Sequence, residues 1–172
     1  MRLRKAIRDQ RGFTLIELLV VISIIGILTA MLVPRLLGYT DKARVSRAMA
    51  DLATMKNVVE LYCADEGEGH YPSTDSDVET DGSIAKVLKD NGINWTGDAN
   101  GIKDPWGTPY KYGTGKEGDS IDRKFVFECA GPDKDFNDTQ DNIWCSSESA
   151  TVQNGGDPDV TVDDKDWVSS SN

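Results

Sequence analysis

The densest run of side chains able to do chemistry in this 172-residue chain is GPDKDFNDTQDN, residues 131–142. It carries carboxylates at Asp133, Asp135, Asp138 and Asp141 and amide oxygens at Asn137 and Asn142. Hard oxygens at short intervals suit a hard cation, since calcium takes about six to eight ligands from carboxylates, amides and carbonyls. The alternation of Asp133, Asp135 and Asn137 echoes the start of an EF-hand loop. The glycine and distal glutamate of that motif are missing and no helices flank the run, which excludes it. An isolated Asp-rich run is more often a solvated loop than a metal site, so the run needs its context before a cation is assigned to it.

Three further residue types deserve the same question. The cysteines are Cys63, Cys129 and Cys145. With no C-x-x-C and no histidine cluster they are not a zinc site. In an oxidising compartment Cys129 and Cys145 are expected to pair and close a loop around the acidic run, while Cys63 competes for either partner or stays buried as a small hydrophobe. His70 is the only histidine and lies in the turn signal His70-Tyr71-Pro72. It has no nucleophile or second base in its context, so the expectation is that the chain is not an enzyme. Glu17 is the single charge in the apolar run FTLIELLVVISIIGILTAMLV, residues 13–33. A carboxylate at that depth costs several kcal/mol unless it reaches the interface or finds a partner.

The element that positions Glu17 is a membrane helix. About 20 residues at 1.5 Å per residue span roughly 30 Å of hydrocarbon. Residues 1–12, MRLRKAIRDQRG, hold five basic side chains against one acid, which keeps that end in the cytoplasm. No small-residue cleavage site follows the apolar run, which argues against an ordinary secretory signal. Beyond Pro34 the pattern turns amphipathic, with Leu37, Val45, Ala48, Leu52, Met55, Val59 and Tyr62 forming one apolar stripe. One helix, about 75 Å long if continuous, thus changes solvent midway, and Pro34 and Gly38 are its expected weak points.

After the glycines of DEGEGHYPS comes an acidic loop, STDSDVETDG, and then a short helix, IAKVLKDN, capped by Ser83 and ended by Gly92. Asp104-Pro105-Trp106-Gly107 reads as a turn with an aromatic anchor. Residues 109–112 and 124–129 read as strands joined by a turn, GTGKEGDSID, with a third strand over 142–145. The tail from Ser146 is polar and acidic and either adds an edge strand or stays mobile. Formal charge is −10, and removing a leader of net +4 leaves −14. With its one dense basic cluster in the leader and a mature chain of −14, the chain is not expected to bind nucleic acid.

The segment RGFTLIELLVVISIIGILTAMLVPRL resembles the N-terminus of the type IV pilin and type II secretion pseudopilin superfamily, matching it at Gly12, Phe13, Thr14, Leu15, Ile16, Glu17 and Pro34. The resemblance implies cleavage after Gly12 by a prepilin peptidase and N-methylation of Phe13. It also implies an assembly role for Glu17, paired with the Phe13 α-amino group of a neighbouring subunit, and loosening of the helix around Pro34 and Gly38 on packing. TDKARVSRA, GHYPST and DPWGTPYKY narrow the resemblance to the major pseudopilins of type II secretion. In those a calcium loop follows the last long strand and precedes a tryptophan, as Trp144 follows Ile143 here. By that resemblance the ligands are Asp133, Asp141 and the Ala130 carbonyl, with Asp138 next and Asp135 and Asn137 after it. The loop lacks the family's glycine-rich middle and has flanking cysteines, so a disulfide would share the bracing.

The expected fold is therefore α+β and type IV pilin-like: a long N-terminal helix packed on a small head with a short helix and an antiparallel β-sheet. The expected organisation is leader 1–12, membrane and assembly helix 13–33, amphipathic continuation 34–66, head 67–145 and acidic extension 146–172. The expected function is structural, as a subunit of a type II secretion pseudopilus. It would sit single-pass in the inner membrane with its head in the periplasm, then assemble into a helical homopolymer with an inner-membrane platform and minor pseudopilins. The rivals are a type IV pilus major pilin and a signal-anchored extracytoplasmic binding protein.

Overall fold

Residues 15–65 contain one proline and two glycines among strong helix formers, and in the computed structural model they form a single helix, α1, Leu15–Asp65. The structure describes residues 12–117, 120–160 and 167–171. Residues 1–11 of the expected leader 1–12 lie outside them. Helix assignment runs unbroken through Pro34 and Gly38, so the expected weak points do not interrupt α1 in the single chain. The chain divides into two compact units, Met1–Thr40 and Asp41–Asn172.

In the first unit the apolar side chains have no protein to cover them. Leu15–Val33 is long and apolar enough to cross a membrane by length and composition. Its large side chains are all exposed, Ile16, Ile22, Ile27 and Met31 by more than half. Such a surface is stable only in lipid or against other apolar helices.

In the second unit the predicted stripe is the core face. Ala48, Leu52, Met55 and Val59 are buried, with Val45 packed beside them. Opposite lies a five-stranded antiparallel sheet of order β4-β3-β2-β1-β5, built from Lys111–Glu117, Ser120–Cys129, Ile143–Ser146, Gln153–Asn154 and Trp167–Ser169 for β1 to β5. Strand alternation sends Tyr112, Phe125, Phe127, Cys129, Ile143 and Cys145 to the core. Their rings interlock: Tyr112 and Phe127 lie 4.8 Å apart, and Trp95 meets Phe127 edge-on at 5.8 Å. Trp95 and Tyr110, both fully buried, are core anchors, and Trp106, the expected aromatic anchor, packs partly buried against the core.

The helix α2, Ile84–Asp90, closes the core with Ile84, Ala85 and Leu88. Its N-cap is Ser83, whose hydroxyl accepts from Lys86 N at 3.1 Å, and Gly92 at φ +81° ends it as predicted. One expectation needs correction. GTGKEGDSID is not a turn: β1 continues to Glu117 and β2 begins at Ser120, so most of it is ladder. Of the two alternatives for the tail from Ser146, the structure shows the edge strand: the tail supplies β4 and β5 at the two edges of the sheet.

Candidate functional site

At the start of α1, Thr14 and Glu17 form a reciprocal cap. Thr14 N and Oγ1 donate to Glu17 Oε2 at 2.9 and 2.7 Å, and Glu17 N donates to Thr14 Oγ1 at 3.2 Å. This is the T-x-x-E capping box, whose signal stood in the sequence unread. Both bonds to the carboxylate fall on Oε2. Gly12 and Phe13 lie exposed just before it, and nothing lies within 4 Å of a Cβ built at Gly12. Among the described residues nothing crowds the Gly12-Phe13 junction.

In the second unit the acidic run lies over the outer face of the sheet. Phe136 stacks on the Lys111 ammonium at 3.8 Å, and Asn142 Nδ2 donates to Glu128 Oε1 at 3.0 Å and to the Phe136 carbonyl at 3.2 Å. Glu128 is buried, and desolvation lifts its carboxyl above the ordinary range despite the opposing pull of Lys111 and Asn142. Neither Lys111–Phe136 nor the buried Glu128 was anticipated, because both need the β1–β2 register to become neighbours.

The predicted calcium ligands are only partly gathered. Asp133, Asp135 and Asp138 are exposed and spend a carboxylate oxygen on backbone N–H groups two residues on, at 2.8, 2.9 and 3.1 Å. Among the described residues no three acidic, histidine or cysteine side chains converge as a metal cluster. Asp141 differs. Its Oδ2 accepts from Asp133 N at 3.4 Å, while its Oδ1, like Asn142 Oδ1, is buried with no hydrogen-bond partner. Gly131, at φ +73°, lets the chain close on Asp141: a Cβ there would lie 3.2 Å from Asp141 Cγ. These two orphaned buried acceptor oxygens, on consecutive residues, have the donor chemistry a hard cation takes. Asp138 does not join them.

The expected Cys129–Cys145 disulfide is absent, and none of the three cysteines is bridged. Register explains it. Cys129 pairs with Ile143 and Cys145 with Phe127, so the two cysteines are diagonal neighbours, at about 7–8 Å between α-carbons and beyond ordinary disulfide reach. Each thiol is otherwise engaged, Cys129 Sγ with Asp104 Oδ2 at 3.2 Å and Cys145 Sγ with the Leu52 carbonyl at 3.7 Å. Burial pushes the Cys145 thiol up to about 12 and raises Cys129 as well, so neither is a ready thiolate. His70 is exposed.

Comparison with known proteins agrees with this geometry. The prokaryotic N-terminal methylation motif matches residues 7–33, and the family "Type II secretion system (T2SS), protein G" matches residues 35–143. A type II secretion system core protein G of Escherichia coli K12 is 35% identical over 143 residues, covering 81% of this chain and 92% of that protein. Those of Pseudomonas aeruginosa and Vibrio cholerae are 39% and 37% identical over 112 residues, covering 61% and 63% of this chain and 74% and 73% of theirs. No solved structure matches. With an exposed apolar half-helix, a methylation motif and a head matched through β2 to the start of β3, this chain belongs to the type II secretion system protein G family, the major pseudopilins.

Proposed function

We infer that this chain is a structural subunit of a type II secretion pseudopilus, anchored in the membrane by the first half of α1. The observation that carries the reading is the pairing of an open Gly12-Phe13 junction and a capped Glu17 with a fully exposed apolar helix, on a chain of this family. The family is structural, and the chain is read as a subunit, not an enzyme. A prepilin peptidase cuts after Gly12 and methylates Phe13. The head lies in the periplasm, the apolar half-helix passes from lipid to packing against its copies, and a helical filament grows from an inner-membrane platform with minor pseudopilins. Glu17 Oε2 serves the Thr14 cap, so Oε1 is the oxygen offered to a neighbour's Phe13 amino group. Pro34 and Gly38 supply the weak stretch where α1 loosens on packing.

Calcium is part of the proposal. Asp141, the Ala130 carbonyl, Asp133 and the Asn142 amide oxygen would hold it, and the ion would neutralise the acidic run and tie it to the sheet. Intact mass of the chain from cell envelopes tests the central claim. A chain starting at methylated Phe13, with a Glu17→Ala variant that inserts but does not assemble, supports it. A chain retaining residues 1–12 beside an active peptidase, or normal assembly of that variant, overturns it.

A further inference from the structure

Both helices of the head end at one groove. α1 stops at Asp65 and α2 at Asp90, and a cavity of about 430 Å³ between them has Val58, Tyr62 and Val87 in its wall. Leu61, 62% exposed, stands at its edge. The rim is Asp65, Glu66, Asp81 and Asp90.

A helix C-terminus carries partial negative charge and favours cations in its last turn. The last turn of α1 has no basic residue and ends in Asp65, with Glu66 next in the chain. The groove's own cation is Lys86, held at 2.9 Å from Asp90 and 3.8 Å from Asp81. Asp65 and Glu66 have no ion-pair partner among the described residues. Lys86 also feels Glu66, but one ammonium faces the four carboxylates Asp65, Glu66, Asp81 and Asp90, and with two helix ends beside an apolar wall the groove keeps a net negative potential.

The complement is on the same chain. Lys42, Arg44 and Arg47 form an exposed basic belt on α1. Arg44 and Arg47 reach their acids only at 3.9 and 3.8 Å, and Lys42 makes no ion pair among the described residues. Belt and groove cannot meet within one molecule: about 20 residues of the same helix hold them about 30 Å apart. We propose that the groove docks the basic belt of a second copy lying parallel and displaced along the helix axis by about 30 Å. Two different surfaces that satisfy each other only between molecules make a heterologous contact, which repeats without closing. The proposal rests on the reading of the chain as a self-assembling subunit and names the surfaces it uses.

The test uses the full chain in cells carrying its secretion machinery. Asp65→Lys with Glu66→Lys, and separately Arg44→Glu with Arg47→Glu, should each cut sheared-filament yield about tenfold, and combining all four should recover most of it. A photo-crosslinking residue at position 47 should give a copy-to-copy adduct mapped to 61–66 or 81–91. No recovery in the combined variant, or an adduct mapped to another face, another protein or lipid, overturns the docking. Wild-type chain that forms no filament would refute the subunit reading itself, and the docking with it.

Discussion

Replacing Gly101 with alanine is the smallest change that asks whether the C-terminal segment belongs to the head. A Cβ at 101 would press into the Ser170 carbonyl, with the carbonyl carbon 2.7 Å away and Ser171 Cα at 3.1 Å. These are backbone atoms of a buried strand end and cannot swing aside as a long side chain would. Ser170 is fully buried and makes four hydrogen bonds. Its N donates to the Tyr110 carbonyl at 2.8 Å and its carbonyl accepts from Gly97 N at 3.1 Å. Its hydroxyl accepts from Tyr110 N at 2.9 Å and donates to the Ile102 carbonyl at 2.6 Å. Relieving the clash means lifting the strand end away, and at about 1 kcal/mol net per bond the loss is about 3–4 kcal/mol. At about 4 °C per kcal/mol for a head of this size, Tm should fall by about 10–15 °C. Near-UV circular dichroism melts of the detergent-solubilised full chain measure it, and limited proteolysis should then release the tail. A variant melting within about 2 °C of the parent, with its tail equally protected, would refute the clamp.

Three other outcomes are expected. Denatured under non-reducing conditions, the chain should take up three alkylating groups, one per cysteine, and a mass showing one would restore the disulfide. Glu128→Gln should raise Tm near neutral pH. Glu128 binds its proton more tightly folded than unfolded, so its contribution is present below its unfolded value near 4.5 and lost as pH rises through the raised folded value. The variant should flatten the stability profile above that value, and a lower Tm at pH 7 would contradict the argument. Calcium added to the chelator-treated full chain should release heat on titration and raise Tm. Asp141→Asn should abolish both while Asp138→Asn leaves them, and absence of heat from the parent would remove calcium from the proposal.

The helices were legible because their signals are local. Ser83 before IAKVLKDN and Gly92 after it bound α2 without tertiary help, and the stripe Ala48, Leu52, Met55 and Val59 named the buried face of α1 by period alone. The strands were legible where apolar, as in KFVFEC, and missed where the ladder runs through GTGKE and SID, because glycine and charge at a sheet end read as turn. The tail was undecidable for the same reason. β5 is three residues long, and what anchors it is Ser170 locking onto Gly97, Ile102 and Tyr110, a set of contacts at sequence separations of 60 or more. The disulfide failed on register, a quantity no spacing of cysteines contains: the residues between them fold back so that Cys129 sits opposite Ile143.

Glu17 shows how a residue is found by one argument and explained by another. Cost drew attention to it, since a lone carboxylate in an apolar helix demands a partner. In the single chain the demand is met by Thr14, three residues away, whose N–H and hydroxyl both reach Oε2. That cap satisfies donors α1 would otherwise leave open at its first turn, so the carboxylate stabilises the helix before any neighbour arrives. It also holds the side chain at the helix start through Oε2 alone, so that Oε1 is not used by the Thr14 cap. On the proposed assembly role, local capping and intermolecular pairing would be successive uses of one carboxylate, and removing Glu17 should cost the helix cap as well as the assembly contact.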